Sequence, residues 1–195
     1  MNLLIVDNRD SFTYNLVQIF KQIGNCNIIF MKNEEITPLS QKRIPFAADN
    51  IDKILFTPGP GLPSDFPVMF DILKDHFKSK SILGVCLGHQ AIAEFFGAKL
   101  INIKNVKHGM KANIDCIEQD ILFKDIPKKF EVGVYHSWSV SKDNFPECLK
   151  ITSISEDGII MSLSHRSLNI HGVQFHPESI MTDFGKNIIE NWIKS

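Results

Sequence analysis

Apolar and polar positions along the chain follow two rhythms. Leu3-Leu4-Ile5-Val6 is a continuous apolar run of strand length that stops at the polar stretch Asp7-Asn8-Arg9-Asp10-Ser11. Beyond it Phe12, Leu16, Ile19, Phe20 and Ile23 recur at helical spacing until Gly24 closes the segment. Residues 27–31 are strand-like again, so strand, helix and strand follow within about thirty residues, the mark of a parallel-sheet unit. Residues 34–50 carry two prolines and little periodicity, and read as connecting structure with one short helix. A short apolar strand over 53–56 runs into Thr57-Pro58-Gly59-Pro60-Gly61, where neither helix nor ladder continues. An amphipathic helix over 66–77 leads to a further apolar strand ending at Val85, and a helix-favouring segment over 90–96 follows at once.

After Gly97 the rhythm changes. Strand-like runs at 98–103, 112–117, 130–135, 149–155, 158–164 and 169–174 are separated by polar turns. Glu156-Asp157-Gly158 and Ser164-His165-Arg166 read as hairpin connections, which makes this half largely antiparallel. A last helix over 183–193 is expected to be capped by Thr182. The pattern predicts one α/β domain over residues 1–195, with a mainly parallel central sheet and additional antiparallel strands.

Composition narrows the class. The 195 residues, 44% hydrophobic and 22% charged, suit a soluble globular domain with a core of its own. A net charge of −1 removes any global electrostatic case for nucleic acid or an anionic membrane. The four cysteines, at 26, 86, 116 and 148, form no C-x-x-C pair, so no metal or redox motif is visible and a reduced, cytoplasmic setting is expected. The apolar N-terminus lacks a basic flank and is too short for a signal peptide, and no apolar run reaches spanning length.

In open parallel sheets the functional loops gather at the carboxyl ends of the strands. Three such ends carry unusual chemistry and should lie on one rim: residues 7–11, residues 57–61, and the turn Gly84-Val85-Cys86-Leu87-Gly88. The glycines flanking Cys86 allow close backbone approach and unusual dihedrals, and the new helix offers free N–H groups and a positive dipole end to a thiolate or an oxyanion. Cys86 is therefore either a buried small hydrophobe or a nucleophile. A nucleophile needs a base and the base an orienting group. His76, His165 and His171 read as surface residues, and His89, at a helix start, points away from the thiol. In Gly172-Val173-Gln174-Phe175-His176-Pro177-Glu178-Ser179 an apolar strand ends in His-Pro-Glu. Residues i and i+2 of extended chain share a side, so Glu178 can hold one ring nitrogen of His176 and leave the other for a partner.

Together, Gly84 to Gln90, Thr57 to Gly61 and Phe175 to Ser179 resemble the class I glutamine amidotransferase family, with its Cys–His–Glu triad, and the resemblance runs the length of the chain. The opening from Val6 to Asn15, the pair His108-Gly109, the run Tyr135-His136-Ser137 and the ending from Ile180 to Trp192 are similar to the small subunits of chorismate-using synthases that make anthranilate or 4-amino-4-deoxychorismate. The resemblance implies a three-layer, flavodoxin-like α/β fold. It implies Cys86 as nucleophile, His176 as proton shuttle and Glu178 as its orienting group. Backbone N–H groups of Gly59 and Leu87 would form the oxyanion hole, and Gly59, Gly61, Gln90, Ser137 and Trp138 would line the pocket for L-glutamine. Trp138 stands where the family favours an aliphatic residue, and Arg9 where tyrosine is common.

The same resemblance implies a partner: a separate synthase subunit that binds chorismate and Mg2+ and receives ammonia through a passage between the two sites. No metal or cofactor is expected on this chain. Two other readings use the same residues. A stand-alone cysteine hydrolase acting on a γ-glutamyl or ester substrate needs the turn but not Gln90 or a partner. A noncatalytic binding subunit predicts no thiol reactivity.

Overall fold

Leu3, Leu4, Ile5 and Val6 are all fully buried, so the first strand is covered on both faces, as its unbroken apolar run requires. The computed structural model describes residues 1–24, 26–36 and 50–195. In chain order the elements are β1 (Asn2–Asp7), α1 (Thr13–Ile23), β2 (Asn27–Lys32), β3 (Lys53–Phe56), α2 (Val68–His76), β4 (Ser81–Val85), α3 (Leu87–Phe95), β5 (Leu100–Cys116), β6 (Lys129–Val140), β7 (Leu149–Ser155), β8 (Ile160–His165), β9 (Ile170–Val173) and α4 (Gly185–Ile193). The strands form one sheet in the order β2-β1-β3-β4-β9-β8-β7-β5-β6. The pairings from β2 through β9 are parallel, and those from β9 to β6 are antiparallel.

Alternation along β1 sorts the core into two halves. Leu4 and Val6 pack with Ile72 and Leu73 of α2 and Ala91 and Ile92 of α3, while Leu3 and Ile5 pack with Leu16 and Phe20 of α1 and Ile188 and Trp192 of α4. The result is a three-layer α/β fold with helices on both faces of the sheet. Among the described residues no helix is long and apolar enough to cross a membrane.

The structure departs from the sequence pattern in two places. The runs expected at 98–103 and 112–117 are one strand, β5, whose pairing with β6 shifts register between Asn102 and Lys107 and again between His108 and Met110. The polar residues between the runs mark these irregularities rather than a turn. Thr182 does not cap the last helix: α4 starts at Gly185 behind a left-handed Phe184, φ 58°. Thr182 instead donates its hydroxyl to the carbonyl of His176 at 2.5 Å and accepts the N–H of Gly133 at 2.9 Å. The short helix expected within 34–50 falls for the most part outside the described residues, which show a 3-10 turn at Asn33–Glu35.

The antiparallel extension positions the site. β6 returns over the end of β9, where the His176 N–H donates to the Gly133 carbonyl at 3.1 Å. The carboxyl ends of β1 and β3 are tied by Asn8, which is fully buried and donates from its backbone to the Thr57 hydroxyl and from its side chain to the Thr57 carbonyl, both at 2.9 Å.

Candidate active site

The turn between β4 and α3 is sharper than glycine alone would make it. Cys86 itself takes the positive φ, at 52° with ψ −100°, a conformation that an L-residue holds only where its surroundings fix it. Its N–H donates to Val173 of β9 at 2.8 Å, and its carbonyl accepts from Gln90 at 3.1 Å. Gly84 and Gly88 keep ordinary φ and serve close approach instead. A Cβ on Gly84 would meet the Gly88 carbonyl carbon at 2.3 Å, and one on Gly88 would meet the Phe56 carbonyl oxygen at 2.6 Å. Without side chains at these points, α3 lies directly against β3 and β4 with its amino end at the sulfur.

His176 and Glu178 are both buried, and Nδ1 of His176 lies 2.6 Å from Oε1 of Glu178. Burial opposes the charged imidazole, but Cys86 and Glu178 outweigh it and raise the His176 pKa well above the ordinary value. Among the described residues Nε2 meets no partner at hydrogen-bonding geometry and is left for chemistry. The ring stands edge-on to Tyr135 at 4.7 Å and to Phe12 at 5.7 Å, centroid to centroid, and the Tyr135 hydroxyl lies 3.0 Å from that of Ser179. Nothing in the sequence pattern marks these aromatic neighbours as site residues.

The loop after β3 meets the turn. A Cβ on Gly59 would lie 2.6 Å from Cδ2 of Leu87 and 2.7 Å from the Asn8 carbonyl, which places all three strand ends together on one rim. Among the described residues, neither the Gly59 nor the Leu87 backbone N–H donates to a protein acceptor, so both are available to an oxyanion. Gln90 is buried and donates to the Trp138 carbonyl at 2.8 Å and to Oε1 of Gln174 at 3.1 Å. Trp138 thus contributes through its backbone. Gln174, also missed in the sequence reading, donates to the Cys86 sulfur at 3.6 Å. Its signal in the sequence is a lone polar residue in an apolar run, two positions before His176. Gly61 has φ +72° on the exposed side of its loop, and Ser137 is exposed; no hydrogen bond joins either to Cys86, His176 or Glu178.

Among the remaining histidines the sequence reading is corrected at His171. His89 is fully buried against Gly172 of β9, where burial lowers its pKa to about 3, so it packs helix on sheet as a neutral ring. His136 is also buried; desolvation first, then the charge of His176, lowers its pKa to about 4. His171 is not a surface residue: it is buried between Asp120 and the Asn169 side-chain oxygen, at 3.1 and 3.0 Å. Among the described residues no cluster of three or more histidines, cysteines or carboxylates is arranged to hold a metal.

A strained cysteine at a strand-to-helix turn, a buried His–Glu pair and two free backbone donors form a site for acyl transfer from a carboxamide or ester. Residues 4–195 match the family model for glutamine amidotransferase class-I, and the chain belongs to that family. It is 43% identical, over 99% of its own length and 96% of the relative's, to a Haemophilus influenzae protein assigned as an anthranilate synthase component II. It is 36% identical, over 99% and 96%, to the aminodeoxychorismate/anthranilate synthase component 2 of Bacillus subtilis. The fold matches that of a Thermotoga maritima glutamine amidotransferase structure, with a TM-score of 0.70 at 17% identity over 100% of this chain and 81% of that one. It matches more closely a Thermoplasma acidophilum structure assigned to GMP synthase, with a TM-score of 0.84 at 23% identity over 100% and 92%.

Proposed function

We propose that this chain is the glutaminase component of a two-component, chorismate-using synthase. The observation that carries the reading is that Cys86, at its strained turn, and Glu178 act on the same buried imidazole and together favour its charged form. Full-length similarity to component II proteins supports the choice of partner.

In this reading the Cys86 thiol passes its proton to His176 as the sulfur attacks the carboxamide carbon of L-glutamine, and the carbonyl oxygen gathers negative charge against the N–H groups of Gly59 and Leu87. His176 gives a proton to the departing nitrogen, the C–N bond breaks, and ammonia leaves a glutamyl thioester on Cys86. Water then attacks the thioester as His176 takes its proton, releasing glutamate and restoring the thiol. Glu178 holds the imidazole throughout. Gln90, Gly61, Ser137 and the Trp138 backbone line the substrate's amino-acid end.

Ammonia set free in neutral water is largely protonated and no longer nucleophilic, so the product calls for a receiving site close by. The partner in this reading binds chorismate and Mg2+ and docks over the site. Ile180, two residues beyond Glu178, is fully exposed, which supports an apolar contact beside the site. The test is to assemble the chain with the chorismate-using component of such a synthase and to assay with glutamine and with ammonium as nitrogen source. Cys86→Ser is expected to abolish the glutamine-dependent reaction and leave the ammonium-dependent one. Glutamine hydrolysis with no transfer of nitrogen to chorismate would instead support the stand-alone hydrolase.

A further inference from the structure

We propose that the Gln174 carboxamide is a built-in donor to the Cys86 sulfur, and that Gln90 is the positioning residue that fixes its direction. The inference deepens the reading of Cys86 as the nucleophile and rests on it. Which end of a carboxamide is nitrogen follows from its partners, and here a backbone group decides. The Trp138 carbonyl can only accept, so the Gln90 atom 2.8 Å from it is the amide nitrogen. That nitrogen has a second hydrogen, directed at a Gln174 atom 3.1 Å away, which must then be oxygen. The other end of Gln174 is therefore its NH2 group, and it lies 3.6 Å from the sulfur. The polarity of the whole relay is set by one main-chain carbonyl.

Gln174 is fully buried and Gln90 is 3% exposed, so exchange with solvent does not scramble the arrangement. The Gln174 backbone is itself anchored, its N–H donating to Met161 at 2.8 Å. A donor aimed at sulfur favours the anion, because hydrogen bonds to charged acceptors are about twice as strong as those to neutral ones. The amino end of α3 acts on the same atom with the same sign. Once the sulfur is acylated its charge is gone and the donor has less to hold. The relay therefore favours the attacking state of Cys86 over the thioester, and it connects the sulfur to the carboxamide of Gln90.

The test uses the full chain without glutamine or partner, so that it stands apart from the assignment of the reaction. Alkylation of Cys86 by iodoacetamide is followed across pH 5 to 9 by mass spectrometry of the Cys86 peptide, for the parent, Gln174→Met, Gln174→Glu and Gln90→Met. Losing a hydrogen bond to a charged group is expected to move the midpoint of the alkylation profile upward by about one pH unit in Gln174→Met. The move is larger in Gln174→Glu, where a carboxylate replaces the donor, and smaller but in the same direction in Gln90→Met. In glutamine hydrolysis, Gln174→Met lowers kcat with little change in KM. An alkylation midpoint unchanged in Gln174→Met overturns the proposal; if that variant does not fold, an unchanged midpoint in Gln90→Met does so.

Discussion

His176 and Glu178 meet at 2.6 Å across a single intervening proline. The backbone that carries them is pinned on both sides, because the His176 N–H binds Gly133 and its carbonyl accepts the Thr182 hydroxyl. The carboxylate fixes one ring nitrogen, and β6, curling over the end of β9, supplies the Tyr135 ring that restrains the imidazole edge-on. Orientation of the base thus comes from two directions in the fold, from the i+2 residue and from a distant strand.

The pair makes stability depend on pH with a definite sign. Although burial works against it, Cys86 and Glu178 raise the His176 pKa above 6.5. A group with a raised folded pKa contributes stability that is complete below its unfolded pKa, about 6.5, and is lost as pH rises through the folded value. Glu178→Gln is expected to cost about 1–3 kcal/mol near pH 6 and progressively less at higher pH, read from urea melts at a series of pH values. A difference that grows with pH would contradict this account of the pair.

The contact of α3 with the sheet depends on missing side chains. Gly88→Ala would place a methyl group 2.6 Å from the Phe56 carbonyl, and backbone cannot turn aside as a flexible side chain can. The expected loss is about 1–3 kcal/mol in denaturant unfolding, with reduced glutamine hydrolysis in the folded fraction because the amino end of α3 moves away from Cys86. Parent-like stability and activity would show that the helix has room to spare.

A second buried pair tests the reverse sign. Burial raises the pKa of Asp120, but the hydrogen bond and charge of His171, with the Leu122 N–H, hold it below its ordinary value of 3.8. Such a carboxylate contributes stability above its unfolded pKa, about 3.9, that is lost as pH falls through the folded value. Asp120→Asn is expected to destabilise by about 1–3 kcal/mol at pH 6 and much less near pH 3. Glutamine hydrolysis per folded molecule at pH 7 stays unchanged, since His171 lies within β9 and the His176–Glu178 pair lies beyond its carboxyl end.

The parallel half is legible in the sequence because its apolar runs have strand length and its helices keep period; β1, α1, β2, β3, α2 and β4 all follow the pattern. The candidate site is legible because Cys86 and His176 each sit at a strand end flanked by glycine or proline, and i,i+2 spacing joins His176 to Glu178. The antiparallel half is harder to read. β5 absorbs two irregularities that look like a turn, and the curl of β6 that brings the Trp138 carbonyl to Gln90 is a long-range consequence of sheet order. His171 looks like a turn residue because the sequence does not reveal Asp120 as its partner, and Thr182 looks like a cap because its bonds reach back to His176 and across to β6.

The central claim is that Cys86 carries the acyl group of glutamine. Rapid quenching of the chain with glutamine, in complex with its synthase partner, followed by peptide mass spectrometry, tests it directly. The account predicts a glutamyl adduct on the Cys86 peptide that accumulates before steady state and is absent in Cys86→Ser, together with loss of ammonia release from glutamine. Ammonia release that persists in Cys86→Ser, or an adduct on Cys26, Cys116 or Cys148 instead, would contradict it.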